Sequence, residues 1–258
     1  MTQFSANLGF LFTDMALTDA TVEAARAGFA AVECHWPYET ATEEMRRALA
    51  EANLQMLGLN TRRGDIDAGE NGLAAVPDRE ADAKAVIDEA IDYAASISCA
   101  NVHVMAGKTD RSESAELTFQ RNLAYACDKA AKANITILIE PLNHFDAPGY
   151  HLYTLDQALQ TQAATAKNNL KIMFDCYHMQ IMHGDLSRRL SQNLDRIGHI
   201  QFAAVPDRGE PDEGEVHYPH LMSLLDQLGW QQAIGAEYKP RINTADGLGW
   251  MNAYKDKP

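Results

Sequence analysis

Short apolar runs alternate along this chain with longer stretches in which apolar residues return every three or four positions. The runs are Phe4 to Phe10, Ala30 to Cys34, Leu54 to Leu59, Asn101 to Met105, Ile135 to Glu140, Leu170 to Asp175, Gly198 to Phe202 and Ala233 to Glu237. Ile135 to Ile139 is continuous, apolar and rich in β-branched residues, which predicts a strand buried on both faces, and the other runs read as strands as well. The stretches between them predict helices. Val86, Ala90, Tyr93, Ala94 and Ile97 share one helical face, as do Phe119, Leu123, Ala126, Cys127 and Ala130, and then Leu221, Leu224, Leu225 and Leu228. Thr18 to Ala27 reads as a helix closed by Gly28, Asp185 to Leu194 as a short one, and Gly229 as a terminator. Thr40 with Glu43, and Thr154 with Gln157, have the spacing of capping boxes.

Strands that alternate with helices argue for a parallel sheet, because parallel strands need crossover connections. Eight such units in 258 residues fit a single (β/α)8 TIM barrel spanning 1–258 better than an open doubly wound sheet. No G-x-G-x-x-G follows the first strand, which weakens the dinucleotide-binding alternative. The long connection from Asn60 to Arg79, rich in Gly and charge and carrying Arg62 and Arg63, reads as a functional loop.

In a barrel the carboxyl ends of the strands form the active-site face. Four successive strands bring an oxygen ligand there: Glu140, Asp175, Gln201 and Glu237. Clustered carboxylates repel and raise one another's pKa values unless a cation intervenes. An all-oxygen set suits a hard divalent cation, Mg2+ or Mn2+, better than zinc. Such a centre can polarise an α-hydroxycarbonyl, with Glu140 and Glu237 flanking the substrate to move a proton. His178, three positions after Asp175, could bond a substrate oxygen or simply pack. His103, inside a strand, reads more readily as a core histidine. Arg63, Arg208, Lys239 and Arg241 lie in loops after strands and are candidates to hold a substrate carboxylate. His35, Trp36 and Tyr38 could wall the pocket.

Composition narrows the partners. The net charge of −14 argues against nucleic acid, which needs a basic face. Cys34, Cys99, Cys127 and Cys176 form no CxxC, so neither a disulfide framework nor a zinc site is expected, and a cytoplasmic setting fits. No signal peptide and no membrane-length apolar run is read.

The motifs together resemble one family. Ile-Glu-Pro-Leu-Asn (139–143), Phe-Asp-Cys-Tyr-His-Met-Gln-Ile-Met-His-Gly-Asp-Leu (174–186), His-Ile-Gln-Phe-Ala (199–203), Pro-Asp-Arg-Gly-Glu-Pro (206–211) and Glu-Tyr-Lys-Pro-Arg (237–241) look like the hydroxypyruvate isomerase family of xylose-isomerase-like barrels. Residues 64–77, 102–107 and 247–250 extend the likeness over nearly the whole chain. The resemblance implies a metal-dependent isomerase interconverting hydroxypyruvate and tartronate semialdehyde. It implies Glu140 and Glu237 as the acid/base pair, with Glu140, Asp175, Gln201 and Glu237 around the metal. Isomerases of 2-oxo-tetronates share most of these motifs and remain an alternative, as does a lyase or epimerase on a related sugar acid. A zinc-dependent repair nuclease would want several His at strand ends and a basic groove. A non-catalytic sugar-acid binder would not need two carboxylates at one metal. Homo-oligomerisation is left open.

Overall fold

The computed structural model describes residues 2–255. Nine parallel strands form one sheet: β1 (Phe4–Asn7), β2 (Ala31–Glu33), β3 (Gln55–Met56), β4 (Gly58–Asn60), β5 (Asn101–His103), β6 (Thr136–Ile139), β7 (Leu170–Asp175), β8 (Ile197–Phe202) and β9 (Ile234–Ala236). Their order is β3-β2-β1-β9-β8-β7-β6-β5-β4. The third expected strand is broken at Leu57, so that β3 pairs with β2 and β4 with β5. Leu57 N–H donates to Val32 C=O at 2.7 Å, and Cys34 N–H donates to Gly58 C=O at 3.0 Å. These bonds carry the ladder across the break and bring the two ends of the sheet together. The result is the expected TIM barrel, with nine named strands in eight barrel positions.

The helices Leu17–Ala27, Thr42–Ala52, Glu80–Ser96, Glu113–Ala130, Leu155–Thr165, Leu186–Asn193 and Tyr218–Gln227 supply the crossovers. Gly28 ends the first of them at φ 96°, a left-handed conformation that costs glycine nothing. Thr154 caps the fifth, its hydroxyl accepting from Gln157 N–H at 3.1 Å, while Gln157 reaches back to Tyr153 N–H at 3.3 Å. The expected box at Thr40 does not form. That helix starts at Thr42 after Ala41, with no side-chain cap, because the chain is still turning at Thr40, whose N–H bonds to Pro37 C=O. A seven-residue helix, Cys176–Met182, follows β7 directly and was not expected. It is too short to show periodicity.

β6 explains why the strands read as apolar throughout. Ile137, Leu138 and Ile139 point alternately to the two faces, and all three are buried, one face against helices and the other inside the barrel. Each buried aliphatic of this kind is worth about 1.5–3 kcal/mol over leaving it exposed. Phe4 meets Phe202, Trp250 and Tyr254 at centroid distances of 5.6, 4.9 and 5.1 Å, which ties the C-terminal segment to β1 and β8. Among the described residues no helix is long and apolar enough to cross a membrane.

Candidate active site

Glu140 follows β6, Asp175 closes β7, Gln201 lies one residue before the end of β8, and Glu237 follows β9. Their residual exposures are 6, 0, 2 and 5%. Three carboxyl groups are therefore withdrawn from water at one end of the barrel. That placement costs several kcal/mol per charge unless partners compensate.

Asp175 divides its oxygens. Oδ1 accepts from Tyr177 N–H at 2.9 Å and so caps the short helix 176–182. Oδ2 has no hydrogen-bond partner. Glu140 Oε1 and Gln201 Oε1 are likewise buried and unpartnered. Three neighbouring strand ends thus each hold an orphaned oxygen acceptor.

Glu237 differs. Oε1 accepts from Asn7 Nδ2 at 2.8 Å and faces His35 Nε2 at 3.1 Å. Oε2 accepts from Arg208 Nη2 at 2.6 Å. The Arg208 guanidinium lies 3.6 Å from Asp175 Oδ2 and 3.3 Å from Asp146 Oδ2, between the rings of Phe10 and Tyr177, each 4.8 Å away. Its backbone sits at φ 58°, unusual for a residue with a side chain, and is held by bonds to Ala204 C=O and from Lys239 N–H.

Titration follows from this placement. Burial pushes Glu237 up, but Arg208 and His35 outweigh it and hold the carboxyl down at about 2. Burial, then the charges of Glu237 and Asp175, push Glu140 well above the carboxylate range. Burial and Glu237 raise Asp175 to about 7 even with Arg208 nearby. One arginine does not balance this cluster. The orphaned oxygens and the raised pKa values both fit a hard divalent cation, for which Glu140, Asp175 and Gln201 offer free acceptors.

Glu140, Asp175 and His178 present atoms within 4.8 Å of one another, the spacing of a metal triad. The histidine's bonding argues otherwise. Its Nδ1 accepts from Asn143 N–H at 3.1 Å, and a backbone donor cannot be reversed. The Asn143 amide also donates to it, at 2.8 Å, its own oxygen being taken by Phe145 and Asp146 N–H. Burial, with Arg208, pushes the imidazole down to about 3, so it is neutral. The proton of the neutral ring therefore sits on Nε2. Nε2 lies 3.5 Å from Asp175 Oδ2 and 3.8 Å from Glu140 Oε1. His178 is a donor aimed into the site rather than a cation ligand.

The four candidate cations separate. Arg208 is inside the cluster. Arg241 is spent on Glu210 at 3.0 Å and on Asp207, Asp212 and Glu213 at 3.4 to 3.8 Å. Lys239 is exposed, and its backbone rather than its ammonium contacts Arg208. Arg63 stacks 4.3 Å over Trp36, whose indole N–H donates to Thr61 C=O at 3.0 Å. Arg63 Nε is buried without a partner. Trp36 in turn packs 5.1 Å from His35.

Several site residues escape a reading of sequence alone. His103 lies in the site wall, its Nδ1 3.6 Å from Glu140 Oε2 and neither ring nitrogen bonded. Asn7 holds Glu237, and Asn143 fixes His178. His35 was legible as a possible pocket wall because it follows the run Ala30 to Cys34, whereas Asn7 lies inside the expected run Phe4 to Phe10, where nothing marks it.

Asp175→Asn is expected to weaken Mn2+ binding while leaving the fold intact. Asparagine caps a helix as well as aspartate does, so Tyr177 N–H keeps its acceptor, but an amide then replaces the anionic Oδ2. Calorimetric titration beside a melting curve checks this, and unchanged affinity would mean that Asp175 is no ligand.

The profile of the xylose isomerase-like TIM barrel family matches residues 22–254. The chain belongs to that family. It is 44% identical to the 2-oxo-tetronate isomerase of Cupriavidus necator over 98% of this chain and 99% of that one. It is 40% identical to the hydroxypyruvate isomerase of Escherichia coli K12 over 99% of this chain and all of that one. Likeness of this extent to isomerases makes this member of the xylose isomerase-like family an isomerase. A Brucella melitensis structure described as a family 2 AP endonuclease superposes with a TM-score of 0.95 at 39% identity, covering 99% of this chain and 100% of that one. A 3-keto-D-glucoside 4-epimerase from E. coli, at TM-score 0.80 and 20% identity over 98% and 99% of the two chains, shares the fold.

Proposed function

We propose that this isomerase interconverts hydroxypyruvate and 2-hydroxy-3-oxopropanoate (tartronate semialdehyde) by proton transfer through an enediolate. The carrying observation is a buried pair of carboxyl groups, Glu140 after β6 and Glu237 after β9, brought into one cluster whose surroundings act on them in opposite directions, burial raising Glu140 and Arg208 lowering Glu237. Two buried carboxyl groups in environments that differ in this way suit acid and base roles. One takes the proton from the substrate carbon and the other returns it to the neighbouring carbon. His178 Nε2–H and Arg208 hold the oxygens on those two carbons. A divalent cation, Mg2+ or Mn2+, held by Glu140, Asp175, Gln201 and Glu237 would stabilise the negative charge that develops on those oxygens. Glu237 has both oxygens engaged, so its part in that set requires Arg208 to turn toward the substrate.

The substrate carboxylate needs a cation outside this exchange. Arg63 fits best, because its guanidinium is pinned on Trp36 and carries an unpartnered N–H. Lys239 is left at the outer rim. Arg63→Ala is expected to raise KM with little change in kcat. Loss of a charge-assisted hydrogen bond costs about 1.5–3 kcal/mol, which is roughly 10- to 100-fold. An unchanged KM would place the anion elsewhere.

A second substrate, 2-oxo-tetronate, is favoured by the 44% identity to the Cupriavidus enzyme of that name. The four free, buried cysteines fit a cytoplasmic enzyme. The test is proton NMR of Mg2+-loaded protein with each compound in turn. Mass-neutral conversion of either supports the isomerase reading and selects the substrate. Loss of water would indicate a lyase, and no conversion of either would overturn the proposal.

A further inference from the structure

Beneath the catalytic groups lies a second buried polar layer that touches none of the reacting positions directly. Glu33, the last residue of β2, is 3% exposed. Its Oε1 accepts from Ser5 Oγ at 2.8 Å, and both its oxygens lie 3.1 Å from His199 Nε2. Its Oε2 accepts from Gln201 Nε2 at 2.6 Å. Ser5 and Asn7 are two apart on β1, as His199 and Gln201 are on β8. Each strand therefore sends one side chain into the lower layer and the next inward one toward the site. Gln201, paired in register with Asp175, joins the layers, with its nitrogen on Glu33 and its oxygen buried without a partner.

A glutamine amide has two faces of opposite chemistry, and only the oxygen can serve a cation. Burial alone does not choose between them. A carboxylate does, because it can only accept and must face the NH2 group. The barrel also reserves room for this contact. A Cβ at Gly235 in β9 would stand 2.2 Å from Glu33 Oε1 and 2.8 Å from Gln201 Cγ, so any larger residue would force the pair apart.

We propose that Glu33 is a positioning residue that locks the Gln201 amide with its oxygen toward Glu140 and Asp175, so that a neutral side chain acts as a cation ligand of fixed polarity. This rests on the metal reading above. Glu33→Gln offers either face to Gln201, so the oxygen is no longer enforced. Partners of ligating groups typically contribute 10–100-fold to metal affinity, and E33Q is expected to lose about that much. The double variant E33Q/Q201E keeps the total charge and presents an oxygen at position 201 in either orientation. The amide introduced at position 33 can then donate to the other oxygen of that carboxylate.

The experiment is calorimetric titration of Mn2+ into wild type, E33Q, E33Q/Q201E and Gln201→Met, which removes the amide ligand, each checked by its melting curve. Support requires weakened binding in E33Q and recovery to within about threefold of wild type in the double variant, inside the 10–100-fold span being tested. Binding by folded E33Q equal to wild type overturns the inference and leaves the metal reading intact. If E33Q does not fold, the double variant decides, and binding as weak as in Gln201→Met overturns the inference. Wild type that takes up no Mn2+ overturns the metal reading and the inference together.

Discussion

Glu140→Gln is expected to abolish most turnover and yet to leave the protein at least as stable as the wild type. Glu140 is buried, and its burial together with Glu237 and Asp175 pushes its carboxyl well above the usual range. A carboxyl whose folded pKa lies above its unfolded value binds its proton more tightly when folded. Its contribution to stability therefore falls as pH rises above the unfolded value of about 4.3. Glutamine is isosteric and carries no charge, so the substitution removes that cost, and its benefit grows toward alkaline pH. Glu237→Gln should lose turnover equally but behave differently in the melt. It breaks the 2.6 Å pair with Arg208, a guanidinium only 12% exposed, and leaves that cation with Asp146 and Asp175 alone. Each loss should be on the order of the 10²–10⁴-fold that positioned acids and bases contribute. Steady-state assays beside melting curves at two pH values check both. A Glu140→Gln variant that keeps turnover would remove Glu140 from the chemistry.

Removal of divalent metal is the second large effect. Chelated enzyme should lose turnover and regain it with Mg2+ or Mn2+. Lewis-acid stabilisation of a developing oxyanion is worth several kcal/mol, on the order of 10³-fold. Affinity should also depend on pH in a definite direction. Asp175 is raised to about 7 and Glu140 is raised as well, both chiefly by burial. Below that range the cation must displace protons, so affinity should fall about tenfold per pH unit for each proton released. Mn2+ titrations from pH 5 to 8 would check this sign. Full turnover in metal-free protein would contradict it.

The strand-end acids were legible because each interrupts an apolar run. A charge after Ile-Leu-Ile or Ile-Met-Phe has few structural reasons to be there. The inner polar layer was hidden by the opposite pattern. Phe4-Ser5-Ala6-Asn7 alternates as any half-exposed strand does, and only closure of the barrel turns Ser5 and Asn7 inward. Glu33 ends a strand as plainly as Glu140 does, but the run that continues to Cys34 masks it. Loop cations were the least legible. Whether Arg208 enters the site, Arg241 ties loops or Lys239 meets water depends on long-range pairing that no local spacing encodes. The break of the third strand at Leu57 is likewise a matter of ring closure rather than of propensity.

Glu140 and Glu237 as proton carriers are the centre of this account, and isotope transfer addresses them most directly. The reaction is run in D2O with Mg2+-loaded enzyme and hydroxypyruvate, and recovered substrate and product are examined by proton NMR. Deuterium at the carbon that gains hydrogen is the predicted result. Product that carries only the substrate's original hydrogen, under conditions where a labelled control exchanges, would contradict it.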